Sequence, residues 1–98
     1  MNTLIRSDEF GEWLSKLKDA RAKARINARL ISAQHGNFGE YKVLSEGVCE
    51  MKIDVGQGYR VYYTRRGETV YCLLTGGDKS TQSKDIKRAV QMARELKE

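Results

Sequence analysis

Residues 41–75 read YKVLSEGVCEMKIDVGQGYRVYYTRRGETVYCLLT, and this stretch decides the fold because apolar and polar side chains alternate along most of it. Such alternation is typical of β-strands that bury one of their two faces. Glycine-containing segments at 46–47, 56–58 and 66–67 interrupt the alternation and are suited to turns. The stretch therefore predicts a four-stranded antiparallel meander.

The alternation also predicts which side chains share one face of the sheet. From 48 to 63 the apolar residues of the two central strands fall at odd positions, so the even positions face the other way. A three-residue turn at 56–58 pairs Asp54 with Arg60, and a turn at 66–67 pairs Arg60 with Leu73. We therefore expect an exposed sheet surface that carries Glu50, Lys52, Arg60, Tyr62 and Tyr71. A structural salt bridge between Asp54 and Arg60 is the alternative.

Helical periodicity flanks the meander on both sides. The first predicted helix follows Ser7, a suitable N-cap, and the second runs from about Asp19 to Gly36. A last helix begins near Ser80, and a short strand is expected at 3–5. These elements predict an α+β fold in which two N-terminal helices pack on an antiparallel sheet of four to five strands, with a C-terminal helix. Residues 1–98 are expected to form a single domain.

Charge favours an acidic partner. The 98 residues carry a net charge of +5, which favours nucleic acid first and an acidic protein second. A basic surface that serves only solubility is the alternative. On the second predicted helix, Arg21, Arg25 and Arg29 share an arc beside the apolar one. We expect this arc to bind RNA phosphates or an acidic protein segment, or to be merely solvated.

Several other classes of protein are disfavoured by the composition. Cys49 and Cys72 fall among apolar neighbours in predicted strands, which indicates buried, reduced thiols. Two cysteines and one histidine make no plausible zinc site, so no metal and no cofactor are expected. We find no secretory signal and no apolar run long enough for a transmembrane helix. A cytoplasmic location without a membrane partner is therefore expected.

The polar sheet face suits phosphodiester cleavage by the 2′-hydroxyl of RNA, which needs a base, a cation and an acid but no metal. Glu50 or a lysine is the candidate base, and Arg60 can stabilise charge on the phosphate. Residues 76–82, GGDKSTQ, lead from the last strand into the last helix, where glycines let the backbone approach a phosphate. Lys79 and Gln82 are predicted at the rim of this site, with a helix start capped by Ser80 as the structural alternative.

Two runs, GYRVYY at 58–63 and LLTGGDKSTQ at 73–82, resemble the addiction-module killer proteins, a HigB-like branch of the RelE/ParE superfamily. Shorter similarities extend over nearly the whole chain. The resemblance implies the toxin of a type II toxin-antitoxin module, a ribosome-dependent mRNA endonuclease that blocks translation. It also implies four partners: a cognate antitoxin of the helix-turn-helix type, the ribosome, mRNA, and operator DNA reached through the antitoxin.

The resemblance also suggests roles for individual residues. Arg60 matches the strand arginine of RelE-type toxins, Glu50 matches an acidic position of some relatives, and Lys52 stands where this branch often has arginine. The predicted site comprises catalytic Arg60, Lys79 and Glu50, and RNA-binding Lys52, Tyr62, Gln82, Arg21, Arg25 and Arg29. A catalytic tyrosine or histidine of several relatives has no counterpart after Lys79, so the general acid is unassigned. The alternatives are a ParE-like inhibitor of DNA gyrase without RNase activity, and an inactive partner kept for operon repression.

Overall fold

The computed structural model describes residues 1–97, which form one five-stranded sheet with helices on both of its faces. The elements in chain order are β1 (Thr3–Arg6), α1 (Asp8–Lys16), α2 (Ala20–Gln34), β2 (Tyr41–Val43), β3 (Val48–Ile53), β4 (Tyr59–Arg65), β5 (Val70–Asp78), a 3-10 turn (Lys79–Thr81) and α3 (Gln82–Lys97). The strand order across the sheet is β1-β5-β4-β3-β2. The α+β fold and the order of its elements confirm the prediction.

The sheet is mixed rather than wholly antiparallel. Strands β2 to β5 form the predicted antiparallel meander, but β1 pairs with β5 in parallel, with Leu4 opposite Tyr71. Alternation over a four-residue strand cannot specify the direction of its partner. That direction is set by the position of α1 and α2, which carry the chain from one edge of the sheet to the other.

The predicted pairing of β3 with β4 was wrong by two residues. Arg60 lies opposite Lys52, not Asp54, and Tyr62 lies opposite Glu50. The pairing ends at Ile53 and Tyr59, so the connection between the strands is longer than three residues. A hydrogen bond from Gly58 N to Val55 O closes the turn within this connection. A shift of two leaves every side chain on its predicted face.

The pairing of β4 with β5 differs from the prediction because the connection between them is longer. It spans residues 66–69 instead of a turn at 66–67, which sets Tyr71 opposite Arg65. This change is an odd number of residues, so Tyr71 packs with Tyr63 on the opposite face from Arg60, and its predicted place was wrong.

A bulge at Leu74 in β5 shifts the pairing by one further residue. Tyr63 pairs with Leu73 but Tyr62 pairs with Thr75, and Arg60 therefore lies opposite Gly77 instead of Leu73. The turn sequence carries no sign of this bulge, because the extra residue lies inside a strand.

The helices divide the core into two layers. Phe10 of α1 and Ile26 of α2 cover one face of the sheet, and Ala89 of α3 packs on Tyr62 and Leu74 on the other. The apolar arc of α2, which consists of Ala22, Ile26, Leu30 and Ala33, is buried as expected. The predicted exposed surface around Arg60 was wrong in part, because α3 lies on that face of the sheet and Tyr62 is fully buried.

Side-chain caps fix the helix starts. Ser7 accepts a hydrogen bond from Phe10 N, as the sequence predicted, and Asp19, at the predicted start of the second helix, accepts one from Ala22 N. Ser80 was considered as the cap at the start of the last helix, but the structure has Asp78 there instead. Asp78 caps the 3-10 turn and accepts a hydrogen bond from Ser80 N at 2.8 Å. The hydrogen bonds from Ser80 hold the pKa of Asp78 below its ordinary value. Within residues 1–97, no helix is both long and apolar enough to cross a membrane.

Candidate functional site

A small cleft lies on the face of the sheet that carries Arg60, along strands β2, β3 and β4. Pairing sets Lys42 opposite Glu50 and, in the next row, Lys52 opposite Arg60. The first pair joins opposite charges, and the second brings two cations side by side. The cleft measures about 160 Å³ and is lined by Glu40, Tyr41, Lys42, Glu50, Lys52 and Arg60.

Arg60 is a buried cation without a salt-bridge partner among the described residues. It is 7% exposed, and within residues 1–97 its guanidinium forms no salt bridge. Nη1 donates to the Gly58 carbonyl oxygen at 2.7 Å, while Nε has no hydrogen-bond partner among the described residues. The alternative salt bridge to Asp54 is not formed, and Asp54 is exposed. Because burying an unpaired charge is costly, the guanidinium is ready to bind an anion that enters the cleft.

Glycine makes the close packing around Arg60 possible. Gly58 has a positive φ of 77°, and a Cβ there would lie 3.2 Å from Arg60 Nη1 and 3.9 Å from Lys79 Cβ. Lys79 is therefore beside the turn that holds the guanidinium, and its side chain is exposed. Gly77, opposite Arg60, has no room for a Cβ because the Asp85 carboxylate lies against it. The structure therefore places Lys79 next to this turn and Gly77 next to Arg60.

Glu50 occupies the other end of the cleft. It is 3% exposed, and its Oε2 accepts a hydrogen bond from Gln82 Nε2 at 2.9 Å. The hydroxyl of Tyr62 is buried without a hydrogen-bond partner in the described chain. Burial first, and then the negative charges of Glu50 and Asp85, raise the pKa of Tyr62. The structure thus places Gln82 beside Glu50, whereas the side chain of Tyr62 is fully buried.

Lys42 and Lys52 are the more exposed cations of the cleft. Lys52 Nζ lies 3.9 Å from Glu40 Oε2, and both side chains are at least 40% exposed, so this pair contributes little stability. Lys42 was not identified from the sequence. Its even position on the three-residue strand β2 was the available signal, but so short a strand gives almost no alternation to interpret.

The arginines of α2 lie apart from the cleft. Arg29 donates to three main-chain carbonyls, those of Lys52 at 2.7 Å, Phe38 at 3.0 Å and Glu40 at 3.2 Å. Its guanidinium thus holds the segment before β2 against β3 and has a structural role. Arg21 and Arg25 are exposed on a helix that packs against the opposite face of the sheet from α3. The structure does not bring these arginines together with Arg60.

Comparisons with known proteins give two matches. The model of a family described as "Phage derived protein Gp49-like (DUF891)" matches residues 12–98. A curated relative from Haemophilus influenzae, whose description is "Uncharacterized protein", is 56% identical over 87 residues. The aligned region covers 89% of this chain and 88% of the relative, so the similarity includes the strands that form the cleft.

Proposed function

The chain belongs to the Gp49-like family of phage-derived proteins, an addiction-module toxin family of the RelE/HigB type, and we propose that it cleaves mRNA on the ribosome. The family implies an antitoxin as partner. In the proposed function the toxin acts as a metal-independent endonuclease that blocks translation, and a helix-turn-helix antitoxin neutralises it and binds the operator.

One observation carries the proposal: Arg60 is buried, unpaired and open to the cleft. A phosphodiester is the anion that best fits a guanidinium, because its two free oxygens accept two parallel hydrogen bonds. The Nε that lacks a partner is one of the donors for such a contact. Negative charge grows on these oxygens in the transition state of cleavage, so Arg60 would stabilise that state more than the ground state.

The remaining cleft residues suit the other steps. Attack by the 2′-hydroxyl forms a bond from its oxygen to phosphorus and breaks the bond to the 5′ oxygen, which leaves a cyclic phosphate. We assign to Glu50 the removal of the 2′-hydroxyl proton, with Gln82 holding its carboxylate in place. The ammonium groups of Lys52 and Lys79 would supply positive charge and a proton for the leaving oxygen. Arg21 and Arg25 are assigned no part in the chemistry.

The test is inducible expression in bacteria, with the 5′ ends of a chosen transcript mapped by primer extension. Wild-type protein is expected to arrest growth and produce new 5′ ends in translated regions. Arg60→Ala is expected to lower cleavage by about 100-fold or more, and Lys79→Ala by a smaller factor. Arg25→Ala removes an equal charge from the other side of the sheet and is the matched control.

The proposal fails if Arg60→Ala still cleaves mRNA at the wild-type rate. Growth arrest with intact transcripts and inhibited DNA supercoiling would instead support gyrase as the target. Circular dichroism of each purified variant verifies that a lost activity does not reflect a lost fold.

A further inference from the structure

Lys42, on the edge strand β2, lines the cleft but takes no part in the proposed chemistry. Its partner in the pairing with β3 is Glu50, and Glu50 in turn lies opposite Tyr62 on β4, so these three side chains form one row across the sheet. Lys52 and Arg60 belong to the adjacent row. Lys42 is therefore the cation in the row of the candidate base.

The ammonium group of Lys42 is available to a ligand. Lys42 is exposed, and within residues 1–97 it forms no salt bridge, although Glu50 lies directly opposite. The buried carboxylate of Glu50 instead accepts its hydrogen bond from Gln82. A lysine binds phosphate as a point charge on a flexible stem, so it needs no fixed geometry before the ligand arrives.

The row of Glu50 gives a bound RNA strand a direction. The attacking 2′-hydroxyl belongs to the nucleotide on the 5′ side of the scissile phosphate. With that phosphate against Arg60 and the hydroxyl at Glu50, the 5′ nucleotide lies over this row. One end of the row is closed, because α3 covers Tyr62 and leaves it fully buried. The other end is the exposed Lys42 on the edge strand, so the 5′ part of the strand leaves the cleft past Lys42.

We propose that Lys42 binds the phosphate on the 5′ side of the scissile one, so that the cleft recognises two consecutive phosphates of a single RNA strand. This inference rests on the proposed function and adds a strand polarity to it. Lys42 and Arg60 lie on β2 and β4, which are two strand spacings or about 10 Å apart, and in different rows. This separation suits two consecutive phosphates better than one.

The experiment is an NMR titration of the isotope-labelled protein with three 2′-O-methyl dinucleotides, which cannot be cleaved by 2′-hydroxyl attack. The first has only the phosphate that joins its two nucleosides, the second carries an added 5′ phosphate, and the third carries an added 3′ phosphate. In wild type the added 5′ phosphate is expected to tighten binding about fivefold at low salt, as a favourable exposed ion pair does. Lys42→Ala should remove most of this gain and leave the effect of the 3′ phosphate unchanged.

Two further variants serve as controls. Lys42→Arg keeps the positive charge and should retain the gain from the 5′ phosphate within about twofold. Arg25→Ala removes an equal charge from the exposed surface of α2, on the other face of the sheet, and should bind all three ligands as wild type does. The amide chemical shifts of each variant verify that its fold is intact.

Three outcomes overturn the inference. Lys42→Ala keeps the full gain from the 5′ phosphate, or it weakens the effects of the 5′ and 3′ phosphates equally, or it removes only the effect of the 3′ phosphate. The last outcome would mean that the strand runs in the opposite direction. Arg60→Gln separates the two proposals, because it should weaken all three ligands whether or not Lys42 binds a second phosphate. If Arg60→Gln binds them as tightly as wild type does, the proposed function fails, even where Lys42→Ala shows the expected loss.

Discussion

Arg60 carries its charge where water has little access. Within residues 1–97 its side chain makes a hydrogen bond to the Gly58 carbonyl, which offsets only part of the cost of desolvating a guanidinium. The free energy of the folded state is therefore higher with this cation than with an apolar side chain of similar length. A group retained under such conditions is typical of a binding site, where the ligand supplies the opposite charge.

Replacing Arg60 with methionine should therefore raise stability while it abolishes function. We expect Arg60→Met to increase the free energy of unfolding by about 1 kcal/mol or more, because an unpaired buried charge is exchanged for an apolar chain. Urea denaturation followed by the fluorescence of Trp13, the one tryptophan, measures the change. Arg25→Met, at an exposed site, is the control and should lie within about 0.5 kcal/mol of wild type. A clear loss of stability in Arg60→Met would show that Arg60 has a structural role instead.

The limits of sequence-based prediction also show at single residues. The alternation placed Glu50, Lys52 and Arg60 on one face, and the structure agrees, because parity depends only on the chain being extended. The role of Arg29 was not predictable. Its helical position resembles that of Arg25, and what distinguishes it is the approach of three carbonyls from segments 9 to 23 residues away in the chain.

At the scale of elements, α3 both covers the sheet and supplies Gln82 to the site. An ion pair joins α3 to α1: Arg88 donates from Nη2 and Nε to Glu9 Oε1 at 2.8 and 3.0 Å. This contact helps to hold the helix that positions Glu50 through Gln82. The hydrogen bond from Arg88 lowers the pKa of Glu9 below its ordinary value of 4.5.

This ion pair should give the protein an acid-sensitive contribution to stability. Because the pKa of Glu9 is lower in the folded chain than in the unfolded one, the contribution is present above about pH 4.5 and is lost as the pH falls through the lowered pKa. Both side chains are more than a third exposed, so we expect no more than about 1 kcal/mol. Thermal unfolding of wild type and Glu9→Gln should differ at neutral pH and converge once the pH is below the lowered pKa of Glu9. An equal difference at both pH values would contradict this assignment.

The pairing register of the strands could not be predicted from the sequence, for a physical reason. Glycine marks where a turn occurs, but the number of residues in the turn depends on hydrogen bonds such as that from Gly58 N to Val55 O. The connection at 66–69 is longer than the predicted turn by enough to move Tyr71 to the other face, and Gly67 alone does not specify that length. Side chains of β3 and β4 were therefore assigned to the right faces, while their partners across the strands were not.

At the scale of the whole molecule, the sheet separates two groups of cations. The cleft side carries Arg60, Lys52 and Lys42, while Arg21 and Arg25 lie on α2 behind the sheet. The net charge of +5 predicted an acidic partner but could not show that the basic residues form two surfaces. Their separation requires knowing which face each helix covers, and that information is long-range. In the proposed function the cleft side binds RNA, and we expect the acidic antitoxin segment to contact the α2 side.

The salt dependence of RNA binding distinguishes one surface from two. If phosphates contact only the cleft and its rim, Lys42, Lys52, Arg60 and Lys79 release counterions, and log Kd should rise with log salt with a slope of about 3. Titrations with a twelve-nucleotide 2′-O-methyl RNA, which cannot be cleaved by 2′-hydroxyl attack, measure this slope between low and physiological salt. Lys52→Ala should lower it by about 0.7, whereas Arg21→Ala should leave it unchanged. A lower slope for Arg21→Ala would mean that the RNA passes around the β2 edge and uses both faces of the sheet.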